Sequence, residues 1–82
     1  MGDERIMVRE FITGYLPGHE IRDEEDIFAA GYANSLFLLQ LVAMVERDFA
    51  VQVTDADLDI ANFRTIDALC AFVSHKQRAL SR

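Results

Sequence analysis

Ser35 offers a hydroxyl in a setting that suggests chemistry, yet nothing around it is arranged to make it a nucleophile. No Gly-x-Ser-x-Gly elbow surrounds it. The two histidines, His19 and His75, lie in an acidic stretch and near the C-terminus, so no base is assigned to activate it. A serine hydrolase is disfavoured on that ground, and no catalytic residue is assigned. What Ser35 has is a place, in Gly31-Tyr32-Ala33-Asn34-Ser35-Leu36, directly before a long apolar run. An exposed hydroxyl at a helix N-terminus lies beside unpaired N–H groups and the positive end of the helix dipole, so a phosphate esterified there is partly compensated. The same local pattern also describes an ordinary cap, because Ser and Asn are common at that position. Attachment point and simple cap therefore both stay open from these residues alone.

Other residues with chemistry to offer carry less. Asp55-x-Asp57-x-Asp59 has the alternating carboxylates of a calcium loop, but such a loop needs glycine at its sixth position and glutamate at its twelfth. Ile60 and Ile66 stand there instead. Capping and solvation account for three acids near a helix start, and no metal ligand is assigned. Cys70 is the single cysteine, so it forms no intramolecular disulfide and no cysteine-rich metal site. Its position on an apolar stripe makes it a small core residue rather than a reactive thiol. Chemistry without disulfides fits the cytoplasm.

These positions need elements to hold them. Apolar residues Ile6, Met7, Phe11, Ile12, Tyr15 and Leu16 recur at three- and four-residue spacing and predict a helix from Asp3 to Leu16, closed by Pro17-Gly18. Residues 17–34 read as a long connection, acidic from His19 to Asp26, pinned to the core by Ile21, Ile27 and Phe28. A second helix is predicted from Ser35 to Phe49 or Ala50, with Asn34 or Ser35 as its N-cap. Thr54-Asp55-Ala56-Asp57 has the form of a capping box and predicts a short third helix to about Ala61. Thr65 caps a fourth, whose stripe is Ile66, Leu69, Cys70 and Val73, with His75, Lys76 and Arg78 at the favourable end of its dipole. The fold class is all-α: a small four-helix bundle of three longer helices and one short one, in a single domain spanning residues 1–82 with its core at about 4–78.

With 82 residues, 51% of them hydrophobic, the chain has room for one small core, since folding at this length buries about 60% of the unfolded surface. A deep, water-excluded site is hard to build on that scale, so a monomeric scaffold that presents something is expected, not an enzyme. The formal charge of −6, from 14 acids against 8 bases, repels nucleic acid phosphates and anionic lipid headgroups. Neither nucleic acid nor membrane is expected as a partner. Acids also precede Ser35: residues 1–34 hold eight acids and three bases, residues 35–82 six and five. Met1-Gly2-Asp3-Glu4-Arg5 lacks the positive start of a signal peptide, and Ile6 replaces the Ser or Thr that N-myristoylation of Gly2 requires.

The second helix is apolar nearly all round from Leu36 to Val45. Leu36, Leu39, Val42 or Ala43, and Val45 can face inward together, which sends Phe37, Gln40, Met44 and Arg47 outward. Two accounts fit: a central helix buried on two faces, or an exposed apolar patch beside Ser35 that docks partner proteins.

Set in order, Asp26-Ile27-Phe28-x-x-Gly31-Tyr32, Asn34-Ser35-Leu36, Glu46-Arg47-Asp48-Phe49-Ala50-Val51-x-Val53 and Phe63-Arg64-Thr65-Ile66-x-x-Leu69 resemble an acyl or peptidyl carrier protein over about residues 4–78. The resemblance implies that a phosphopantetheinyl transferase moves 4′-phosphopantetheine from coenzyme A onto Ser35 Oγ, with Asn34 and Leu36 shaping its presentation. It implies an acyl- or aminoacyl-loading enzyme and an acyltransferase or synthase domain as further partners, with the cargo held as a thioester. Carriers of this kind commonly have Asp before the serine, where this chain has Asn34. Fatty-acid carriers place acids along the exposed face of the second helix, where Phe37, Gln40, Met44 and Arg47 are expected here. The resemblance therefore points to a discrete carrier in a polyketide or nonribosomal-peptide pathway, holding an extender or starter unit. The rival expectation is a helical interaction module in which Ser35 is only a cap.

Overall fold

The computed structural model describes residues 3–16, 18, 20–29, 31 and 34–80. Met1, Gly2, Pro17, His19, Tyr32 and Ala33 lie outside the described residues. The described residues form three α-helices: α1, Asp3–Tyr15; α2, Ser35–Phe49; and α3, Ile66–Leu80. A single 3₁₀ turn, Ile60–Asn62, precedes α3, and the described residues contain no strand. None of the helices is long and apolar enough to cross a membrane.

One apolar cluster joins the three helices. Val8 and Ile12 of α1, Leu41, Met44 and Val45 of α2, and Ile66, Leu69 and Val73 of α3 are almost fully buried, with Phe63 between them. Among the described residues no polar or charged residue is buried with them. Of the predicted α1 stripe, Ile12 is buried and Phe11 and Leu16 pack against the core, whereas Ile6, Met7 and Tyr15 are exposed and Val8 is buried instead. Beside the buried residues, Arg5 reaches Asp23 at 2.9 Å and Asp67 at 2.6 Å, and Arg9 pairs with Asp23 and donates to the Ile21 carbonyl at 2.5 Å.

The predicted third α-helix is absent. Thr54 and Asp57 do form the reciprocal cap, Thr54 N–H donating to the Asp57 carboxylate at 3.1 Å and Asp57 N–H to Thr54 Oγ1 at 3.3 Å. Only one turn follows, because Asp59 then accepts from Ala61 N–H at 2.9 Å and starts the 3₁₀ turn. Short polar side chains that bond the backbone compete with helix propagation in this way. Leu58 and Ile60 remain exposed, so no buried stripe draws the segment into a helix.

Residues 20–29 lie against the start of α3. Ile27 N–H donates to the Arg64 carbonyl at 2.9 Å and Asp67 N–H to the Asp23 carbonyl at 3.0 Å, while Ile21 and Ile27 are buried as predicted. Thr65 caps α3 through Ala68 N–H at 2.9 Å. At the other end of α2, Ala50 closes the helix at φ 57°, a left-handed cap made without glycine.

Lys76 of α3 holds Asp57 at 2.6 Å. The Lys76 ammonium, followed by the Thr54 amide, lowers the Asp57 carboxyl from 3.8 to about 2. A carboxyl depressed on folding stabilises the native state above its unfolded pKa and loses that contribution as pH falls through the folded one. Asp57→Asn is expected to lower the melting temperature at neutral pH and to flatten its fall between pH 3.8 and about 2, as thermal unfolding across that range will show.

Candidate functional site

Ser35 is exposed and is the first residue of α2. Asn34 is the N-cap: its backbone is extended, at φ −136° and ψ −170°, and its Oδ1 accepts from Phe37 N–H at 3.1 Å. Leu38 N–H reaches the Asn34 carbonyl at 3.0 Å and begins the helical ladder. The amides of Ser35 and Leu36 have no acceptor among the described residues, as expected of the first turn of a helix. The first turn of α2 contains no acid. A neutral cap, two free amides and the dipole together make the serine oxygen a tolerable seat for a phosphodiester.

The approach to the site is built by turns. The Asp26 carboxylate accepts from Phe28 N–H at 3.0 Å and Ala29 N–H at 2.8 Å, folding residues 26–29 into a turn. The Ala29 amide, then the Phe28 amide and Arg64, hold that carboxyl below the ordinary range against some desolvation. Gly31 follows at φ +82°, in the left-handed region that a side chain would strain, with its N–H on the Phe28 carbonyl at 3.1 Å.

Phe37 and Met44, expected to project outward, are instead 2% and 1% exposed. Phe37, Leu41, Met44, Val45 and Phe49 form the inward face, spaced four, three, one and four residues apart. The outward side carries Leu36, Leu39, Gln40, Ala43, Glu46 and Arg47. Leu36 and Leu39, expected inward, are 60% and 59% exposed. The missed signal was the spacing of Leu36 with Gln40, Ala43 and Arg47, at four, seven and eleven residues, which puts Leu36 on the polar side. The exposed apolar side chains beside Ser35 are thus Leu36, Leu39 and Ala43, not Phe37 and Met44. Arg47 lies further along, donating to Asp48 Oδ1 at 3.0 Å.

The remaining candidates lie elsewhere. Cys70 is buried, and that burial pushes its thiol up. With His75, Arg5, Asp67 and Arg78 it borders a groove between α1 and α3 that Ser35 does not line. Asp57 and Asp59 are occupied by Lys76 and the Ala61 amide, and no metal-binding group of three His, Cys, Asp or Glu occurs among the described residues.

A family model described as "Phosphopantetheine attachment site" matches residues 12–73, a span that holds Ser35 and all of α2. Comparison with curated proteins and with solved structures finds no match.

The inward and outward registers of α2 make opposite demands on stability. Phe37→Ala is expected to cost about 3–5 kcal/mol, as truncation of a buried aromatic does. Leu36→Ala should stay within about 0.5 kcal/mol of the parent. Urea unfolding of the two variants will measure both.

Proposed function

The chain belongs to the phosphopantetheine attachment family, a family of carriers with covalently bound 4′-phosphopantetheine, and we propose that Ser35 is the residue that bears the group. The observation that carries this reading is the exposed serine at the first position of α2, beside free amides and a neutral cap, inside the matched span. Carriers of this family are modified by a phosphopantetheinyl transferase and work with biosynthetic enzymes. On this chain the Ser35 Oγ–P bond forms as the bond from phosphorus to the departing 3′,5′-ADP of coenzyme A breaks, and the hydroxyl proton leaves to the transferase. The bound group supplies a terminal thiol that holds an acyl or aminoacyl unit as a thioester. Asn34 keeps the first turn wound, Leu36 flanks the serine, and the described residues bring no base to Ser35.

The pathway we favour is polyketide or nonribosomal-peptide synthesis in the cytoplasm, the cargo an extender or starter unit, and the partners a loading enzyme and an acyltransferase or synthase domain. Support comes from the exposed side of α2, where the first acid, Glu46, lies eleven residues beyond Ser35. A partner that met this face would bury Leu36, Leu39 and Ala43, with Gln40 and Arg47 at the edge, so contact there is mainly apolar. This differs from docking carried by rows of surface carboxylates.

Incubation with coenzyme A and a promiscuous transferase should add one phosphopantetheine by intact mass, and Ser35→Ala should abolish the gain. An unchanged parent mass beside a control carrier that is primed would exclude the attachment. With the loading enzyme in hand, Leu39→Ala should slow transfer several-fold while rising salt changes it little. A steep salt dependence with an unaffected Leu39→Ala variant would reject the apolar docking face.

A further inference from the structure

Phe37 stands among rings from two other parts of the chain. Phe11 and Tyr15, one helical turn apart on α1, have centroids 6.3 Å and 4.7 Å from that of Phe37, and Phe28, in the turn begun by Asp26, is 6.3 Å away. Phe11 and Tyr15 also stack on each other at 5.8 Å. Burial is reason enough for Phe11, Phe28 and Phe37. It does not explain Tyr15, which is 43% exposed and yet makes the closest ring contact of the group.

The first turn of α2 has few attachments. Asn34, Ser35 and Leu36 are all exposed, and Phe37 is the first side chain of the helix to be buried. For the first four N–H groups of the helix, support amounts to the Asn34 cap on Phe37 N–H and the Leu38 bond to the Asn34 carbonyl. Helix ends fray when they lack such support, because the first N–H groups have no partner within the helix. We propose that Tyr15 is a positioning residue for Ser35: its ring walls in Phe37 and thereby keeps the first turn of α2 wound around the serine. The inference rests on the reading of Ser35 as the attachment point. Tyr15 Oη has no hydrogen-bond partner among the described residues, so the ring and not the hydroxyl does the holding.

A frayed first turn leaves the chain folded but offers the serine in its helical geometry for a smaller fraction of the time. A transferase that binds only the wound form then shows an apparent affinity reduced by that fraction, while the bound complex reacts as before. An aromatic pair of this kind shifts such an equilibrium by about two- to tenfold.

The test is steady-state priming of the full chain, with amide hydrogen exchange on the same variants. Tyr15→Ala should raise the KM for the carrier by the factor in which the wound fraction falls, at most about tenfold, with kcat unchanged. It should also speed exchange at the Phe37 and Leu38 amides while leaving Val45 to Phe49 as they were. Tyr15→Phe should match the parent in both measurements. An unaltered KM for Tyr15→Ala, a fall confined to kcat, or an equal loss in Tyr15→Phe overturns the proposal. Should the alanine variant fail to fold, Tyr15→Leu takes its place under the same criteria. If the parent itself is not primed, the attachment reading fails, and the exchange rates alone decide whether Tyr15 holds the turn.

Discussion

Two backbone hydrogen bonds, from Ile27 to the Arg64 carbonyl and from Asp67 to the Asp23 carbonyl, fasten residues 20–29 to the start of α3. A segment with five acids among residues 20–26 has little reason to lie against a protein carrying a net charge of −6. It does so because its Asp23 carbonyl takes the Asp67 N–H that α3 would otherwise leave unpaired, and because it brings Ile21 and Ile27 into the core. The ion pairs follow that placement. Asp23 lies between Arg5 and Arg9, and Asp26 meets Arg64 at 3.2 Å. Single pairs this exposed contribute little, but here they share residues, and the backbone holds them in register. The same segment carries Phe28, which meets Phe37 at a centroid distance of 6.3 Å.

The part of the site that could be read from sequence was the part decided locally. Asn34-Ser35 before an unbroken apolar run is a helix start whatever surrounds it, and the buried loop residues Ile21 and Ile27 stand out as apolar among acids. The phase of α2 was harder, because leucine, phenylalanine, methionine and valine populate nearly every direction around it. Beyond Ser35 the polar residues that mark the solvent side are Gln40, Glu46, Arg47 and Asp48, and the bulk of Phe37 and Met44 fills the core. On α1 the pattern holds at Phe11, Ile12 and Leu16 and fails at Ile6, Met7 and Tyr15. Arg5 and Arg9 look like solvent-facing residues until their carboxylate partners, 18 and 62 positions away from Arg5, are known. In the segment after Val53 the capping box was legible and correct in its hydrogen bonds. What followed depended on Asp59 competing for a backbone amide, which a helix-start pattern does not reveal.

Electrostatics at the two ends of α2 differ. The N-terminal turn is neutral, with Asn34 providing the cap by dipole alone, whereas the last turn carries Glu46, Arg47 and Asp48. A phosphodiester at Ser35 would be the dominant local charge on a surface otherwise made of leucine, glutamine and alanine. Partners could then distinguish the modified from the unmodified chain at short range, in an environment where little else competes for their cations.

The seam between residues 20–29 and α3 also bears on when this site comes into being. Chain emerges from the ribosome N-terminus first, and Ser35 is made early, but Arg64 and Asp67, which receive the preceding segment, are made about thirty residues later. Until they arrive, Phe28 has no fixed platform from which to meet Phe37, and the serine sits on a helix start lacking one of its walls. The site is thus coupled to completion of nearly the whole fold. A chain truncated before α3, or one whose last helix has undocked, would present Ser35 in sequence but not in shape.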